Sequence, residues 1–173
     1  MTQRDPDLLE RLDGLDKRAF EGVAYRVVWR DRSAVQGSSG SGGRWNDPAR
    51  RFEILNTSLE RDGAAAEFEA FWSLFEQRPD RRASSWKLKL RLKRVVELGF
   101  EELERLGVGR ADFGGREYAR TQEIAEALNR LACDGLIVPS ARYEGKNLIV
   151  LTENLDKDCV VEAVESVEFS WRD

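Results

Sequence analysis

Between positions 85 and 94 the chain alternates, with Trp86, Leu88, Leu90 and Leu92 separated by Lys87, Lys89, Arg91 and Lys93. A period of two predicts a half-buried strand whose outer face is basic. A different period governs residues 62–77, "DGAAAEFEAFWSLFEQ". There Phe68, Phe71, Trp72 and Phe75 recur at helical spacing, which predicts a helix with an aromatic stripe toward the core and Asp62 as its N-cap. Leu8, Leu9, Leu12 and Leu15 predict a short amphipathic helix over 5–17, opened by Asp5 or Asp7. "GVAYRVVW" (22–29) and "RFEIL" (51–55) read as strands, and 99–106 and 118–133 as helices, the second with Ile124, Leu128 and Leu131 inward. Strand 134–141 enters through an Asp-Gly turn and pairs through "YEGKN" with strand 147–152 as a hairpin. Pro139 marks an edge or an interruption. The chain closes on a last alternating strand, "VVEAVESVEFSW".

The pattern contains no repeat and no regular alternation of strand and helix. It predicts an α+β fold, a single domain with a mixed, mostly antiparallel sheet and flanking helices. A length of 173 residues suits one such domain, divided into a helical segment at 1–20 and the main domain at 21–173. The tract "GSSGSGG" at 37–43 is too short for an interdomain linker and is expected to be a mobile loop.

Composition narrows the chemistry. No apolar run is long enough to span a bilayer and the N-terminus lacks the apolar core of a signal peptide, so a cytoplasmic protein without membrane contact is expected. Cys133 and Cys159 are the only cysteines, which suits a reducing compartment and leaves no zinc or disulfide framework. A net charge of −4 argues against direct binding of nucleic acid. The chain has no histidine. That removes Ser-His-Asp and Cys-His triads and His-ligated zinc, so no metal is expected and any catalysis runs on carboxylates, arginines, hydroxyls and backbone amides.

Several positions could carry such chemistry. "GGRWN", Gly42 to Asn46, follows the small-residue tract. Its glycines let backbone amides approach an anion that Arg44 can fork, and the Trp45 indole could cover a planar ring. The same string also reads as a loop meeting a strand, with Trp45 in the core and Arg44 solvated. Arg26 interrupts an apolar strand and must reach an edge, a carboxylate or a bound anion. Glu67 and Glu69 flank the aromatic stripe near a helix start, where carboxylates are favoured whatever their use. Ser140 follows Pro139 at the end of an apolar strand. The row Lys87, Lys89, Arg91 and Lys93 is a solvated face or a dock for an acidic partner.

Taken in order from about Ala24 to Val150, these pieces resemble the RES-domain family, the toxin half of RES–Xre toxin–antitoxin pairs. The resemblance rests on "YR" in the first strand, "GGRWN", "AAAE" opening a helix, and "CDGLIVPSAR" followed by "GKNLIVL". It implies an ADP-ribosyltransferase-like fold and an enzyme that degrades NAD, by hydrolysis or phosphorolysis with inorganic phosphate. ADP-ribosylation of a protein is the other activity it implies, and an Xre-type antitoxin covering the active site the usual partner. The Arg, Glu and Ser of the family name correspond to Arg26, Glu67 and Ser140. Glu67 is preferred to Glu69 because it directly follows the alanine run. The resemblance makes Glu67 the stabiliser of the ribosyl cation and Ser140 the group that orients nicotinamide or its ribose. Arg26 and Arg44 would hold the diphosphate, with Gly43, Trp45 and Asn46 completing the dinucleotide wall. One position departs from the family, whose strand before the glutamate helix begins Y-L-x-x-S where this chain has Ile54-Leu55-Asn56-Thr57-Ser58. If the missing phenol packs on the nicotinamide ribose, the expectation is a slow, altered or inactive protein that only binds NAD, unless Tyr25 or Trp45 supplies a ring.

Overall fold

The structure, a computed structural model, describes residues 5–40 and 42–172. The first four residues of the N-terminal segment, Ser41 of the glycine-serine tract and Asp173 lie outside the described residues. The order is α1 (Pro6–Asp13), β1 (Arg18–Trp29), β2 (Ile54–Ser58), α2 (Arg61–Trp72), β3 (Ala83–Glu97), α3 (Phe100–Arg105), α4 (Arg110–Phe113), α5 (Ala119–Arg130), β4 (Gly135–Pro139), β5 (Lys146–Leu151) and β6 (Val160–Glu168).

The sheet is mixed and mostly antiparallel, as the pattern predicts. Its only parallel pair among the described residues joins β3 to β4. The order β1-β2-β5-β4-β3 returns to β1 through the β1–β3 ladder, so five strands close like a barrel and β6 hangs outside on β3. Closure is thinnest between β1 and β2, which share the single register pair Tyr25↔Ser58.

Alternation sorts side chains to two faces. Ala24, Leu55, Leu88, Leu90, Leu92, Leu148 and Val150 form one cluster, drawn from four of the closing strands. The intervening Ile54, Leu136, Val138, Ile149 and Leu151 face the other way and meet α1, α3 and α5 in the largest cluster. Asp5 caps α1 by accepting from the N–H groups of Asp7 and Leu8, and its other oxygen takes Arg120 of α5. Leu8 and Leu12 are buried with Ile124 and Leu128. The basic row of β3 does point outward at Lys89, Arg91 and Lys93, where Arg91 pairs with Glu21 and Lys93 with Asp156.

The first strand begins at Arg18 and not Gly22, so it reaches into the segment 1–20 expected to be helical, and the short α4 was not expected; two further elements differ for reasons that packing supplies. The second strand begins at Ile54 rather than Arg51. Arg51 is tied back to Asp47 through its own N–H and its guanidinium, which holds it in the preceding turn. The strand then runs on through Asn56, Thr57 and Ser58 because β5 offers them a ladder out to Ser58↔Asn147, so pairing overrides propensity.

Helix α2 ends at Trp72; it fully buries Gly63, Ala64 and Ala65, while of its aromatic stripe only Phe68 and Trp72 are half-buried, against Trp29. Phe71 and Phe75 are 54% and 52% exposed. The reason is close approach: a Cβ on Gly63 would lie 2.2 Å from the Ser58 hydroxyl, so small residues let the helix start touch the sheet while its aromatic end overhangs. Glu60, not Asp62, occupies the N-cap, without a side-chain hydrogen bond.

Leu12→Ala should cost about 2–5 kcal/mol, the range for truncating a fully buried leucine. Urea unfolding measures it. A loss near the ~0.5 kcal/mol of a surface substitution would mean that α1 stands apart from the core.

Candidate active site

A cavity of about 510 Å³ opens beside the thin β1–β2 seam. β1 contributes Tyr25 and Arg26 to its wall, and β2 contributes Asn56, Thr57 and Ser58. The loop before β2 adds Ser38, Gly43, Arg44 and Asn46, helix α2 adds Glu67 and Phe71, and the chain around α4 and α5 adds Arg116 and Tyr118. Arg142 and Asn147, from the β4–β5 connection and the start of β5, complete it.

Glu67 leaves the second turn of α2 and reaches across to that connection. Its Oε1 accepts from the Ser140 hydroxyl at 2.7 Å and from Asn147 Nδ2 at 2.9 Å. Both bonds fall on one oxygen, so Oε2 has no hydrogen-bond partner among the described residues. Ser140 is buried and does not line the cavity. Its hydroxyl donates to Glu67 and accepts from the Arg142 N–H. Ser140 thus orients the Glu67 carboxylate, and of the two only Glu67 lines the cavity. Asn147 was not singled out from sequence; its place in "GKNLIVL", opposite Ser58 and Val138, brings it here.

Four guanidinium groups line the same cavity, those of Arg26, Arg44, Arg116 and Arg142, and among the described residues none has a carboxylate partner within ion-pair distance. Arg26 donates to the carbonyls of Ala34 and Gln36 at 3.1 and 2.9 Å, so neither a salt bridge nor free snorkelling explains it. Burial lowers its pKa from the ordinary value. The Arg44 guanidinium sits 4.7 Å from the Phe113 ring and 4.8 Å from the Tyr118 ring, and donates to the Gly115 carbonyl. Burial and the nearby Arg142 lower its pKa, while Tyr118 and Glu67 act the other way. Arg142 donates to the Gly114 carbonyl, one residue along, so two like charges are held on neighbouring carbonyls. "PSAR" places Arg142 beside Ser140 and could have pointed to it; nothing local in the sequence marks Arg116 or Tyr118.

The GGRWN string splits its roles. Trp45 borders the cavity but is 3% exposed and packs in the largest core cluster, where it anchors the loop. Gly43 is needed for packing: a Cβ there would lie 2.0 Å from Asn46 Oδ1. Asn46 is buried and donates to the Ser38 carbonyl. Gln122 and Thr121 of α5 donate to the carbonyls of Gly43 and Arg44. Ser38 itself pairs with Ile54, so the glycine-serine tract expected to be mobile is fastened at both ends. Ile54 is 1% exposed in the same cluster. Its side chain lies in the core under this loop and does not line the cavity. Glu69, the alternative carboxylate, pairs with Arg172 away from this cavity. Among the described residues no cluster of acidic or cysteine side chains could hold a metal ion, and no helix is long and apolar enough to cross a membrane.

The model of the RES domain matches residues 17–172. The chain belongs to the RES domain family. This RES domain is also similar in fold to a chain of the crystal structure of the M. tuberculosis MbcT–MbcA toxin–antitoxin complex, with a TM-score of 0.83. Identity is 20%, and the alignment covers 97% of this chain and 94% of that one. Among curated proteins no sequence matches the chain.

Asp47 holds the loop that presents Arg44. Its buried carboxylate accepts from the N–H groups of Ala49 and Arg51 and from the Arg51 guanidinium. Burial pushes its pKa up, but the Arg51 side chain and the two N–H groups outweigh burial and hold it below the ordinary value. A depressed folded pKa gives stability that is present above the unfolded value, about 3.9, and lost as pH falls through the folded one. Urea midpoints of the native protein should therefore decline below about pH 4 more steeply than those of Asp47→Asn. Asp47→Ala should cost about 1–3 kcal/mol at neutral pH.

Proposed function

We propose that this RES domain cleaves the bond between nicotinamide and ribose in NAD, by hydrolysis or phosphorolysis, as the toxin of a toxin–antitoxin pair. The observation that carries the reading is Glu67, with one carboxylate oxygen clasped and the other unengaged, in a cavity ringed by four arginines without acid partners. Family membership and a neighbour from a toxin–antitoxin complex support it.

The chemistry needs no histidine. The nicotinamide of NAD is a pyridinium, and when the C–N bond breaks the electron pair goes to the ring nitrogen, which leaves neutral. The ribose carbon becomes cation-like, and a carboxylate beside it stabilises that charge where it develops. Glu67 Oε2 fills this role, while Ser140 and Asn147 hold Oε1 and so fix the direction of the other oxygen. Water attacking that carbon loses a proton and gives ADP-ribose; phosphate gives ADP-ribose 1″-phosphate. Guanidiniums match a diphosphate in both shape and charge, and Arg26 and Arg44 are already oriented by carbonyls and rings, which reduces the cost of ordering them on binding. The expected ADP-ribosyltransferase-like architecture belongs to this reading too. So does an antitoxin of the Xre type, for which the exposed Phe71 and Leu74 at the cavity rim offer an apolar contact.

Purified protein should release nicotinamide from NAD, measured by chromatography with and without phosphate, and Glu67→Gln should lower the rate by about 10²-fold or more. Ser140→Ala should lose less, because Asn147 still holds the carboxylate. Equal nicotinamide in the native protein and Glu67→Gln would end the proposal; label from NAD on a protein would redirect it to ADP-ribosyl transfer. Arg44→Ala should act mainly on KM, as expected of a group that binds ground and transition states alike.

A further inference from the structure

We infer that residues 169–172, at the opposite end of the chain from Arg26, form a strap that positions Glu67; the inference rests on the function proposed above for that carboxylate. Helix α2 fully buries only Gly63, Ala64 and Ala65, all in its first turn and a half; beyond them, past Glu67, its contact with the sheet is the half-buried pair Phe68 and Trp72 against Trp29 of β1. The segment after β6 adds a second hold at this point. Phe169 N–H donates to the Ala83 carbonyl, which prolongs the β3–β6 ladder by one bond and carries the chain across the helix.

The segment then grips the two residues that directly follow Glu67. Phe68 has ring centroids of Phe169 at 5.2 Å and Trp171 at 5.4 Å, with Trp29 of β1 at 5.0 Å. Glu69 takes the Arg172 guanidinium at 2.8 Å, and the same guanidinium reaches Asp62 at 3.9 Å, spanning two turns of the helix. Arg78, beyond the helix, closes over Trp171 at 4.7 Å. None of Phe169, Trp171 and Arg172 lines the cavity, so they are positioning residues and not catalytic ones. The rotation of α2 about its axis sets whether Glu67 meets Ser140 and Asn147, and a grip on the adjacent two positions is what resists that rotation. The cavity arginines come from β1, the Gly43–Arg44 loop, the chain before α5 and the β4–β5 connection; the strap shares a hydrophobic cluster with Val27 and Trp29 of β1, but among the described residues no hydrogen bond or ion pair joins it to Arg26, Arg44, Arg116 or Arg142.

The test uses the full chain with Trp171→Ala and Arg172→Ala, singly and together, Arg172→Lys, and the exchange Glu69→Arg with Arg172→Glu. The double alanine variant should lose about 10- to 100-fold in kcat for nicotinamide release, as a small displacement of a catalytic group does, with KM within about twofold. Arg172→Lys and the charge exchange should recover most of that loss. Hydrogen exchange should show faster exchange of α2 amides in the double variant, with β3–β5 amides unchanged. Unchanged kcat, or a loss matched by loosening of the whole sheet and not recovered by the exchange, overturns the strap. If the native protein itself releases no nicotinamide, the enzymatic reading fails, and hydrogen exchange alone decides the strap: selective loosening of α2 upholds it as the holder of that helix, and no change overturns it.

Discussion

A fifteen-residue strand with β1 along one edge and both β6 and β4 along the other is the constraint from which the remaining geometry follows. Strand pairing satisfies the backbone groups of β3 only if each partner keeps its register, and register in turn decides which side chains face inward. Because β3 meets antiparallel β1 and parallel β4, the sheet closes upon itself, and the place where closure is weakest is the single-pair seam of β1 and β2. A seam that cannot zip leaves an opening, and the cavity lies there. The start of α2 covers part of it, and the Gly63 contact with Ser58 fixes how near the helix comes.

Charge gives the opening its character. Four guanidiniums border a cavity whose nearest carboxylate, Glu67, is turned toward neutral donors. Elsewhere the chain pairs its cations freely: Arg51 with Asp47 and Glu126, Arg120 with Asp5 and Glu123, Lys93 with Asp156. A protein with more acids than bases has carboxylates to spare, so arginines left on carbonyls and rings are a local arrangement and not a shortage. Such groups hold their orientation without a counter-charge and keep their remaining N–H bonds for an anion.

Sequence reached the site unevenly, and the unevenness has causes. Arg26 was legible because a guanidinium in an apolar strand demands an explanation. Glu67 and Ser140 became legible only through resemblance to a family, since a glutamate near a helix start and a serine after a proline are common for other reasons. Their 2.7 Å contact joins positions 73 apart in the chain, and no local pattern encodes it. Trp45 and Ile54 show how packing divides such strings: both side chains are in the core, and of the two only Trp45 also borders the cavity. A motif records which residues occur together, and packing decides which of them face outward.

What the chain determined unaided is its alternation and its absences. A period-two run marked β3, β-branched and apolar stretches marked β1 and the β4–β5 hairpin, the leucines marked α1, and the lack of histidine left carboxylates, arginines, hydroxyls and backbone amides as the available chemistry. Tertiary structure alone decided the closing of the sheet, the face that α2 buries, and the gathering of Glu67, Ser140, Asn147 and four arginines at one opening. Periodicity is a property of neighbours along the chain, whereas closure, helix footing and site assembly depend on contacts between distant segments, such as Arg172 with Glu69, where the separation is 103. Such contacts form only after the local elements have been folded against one another.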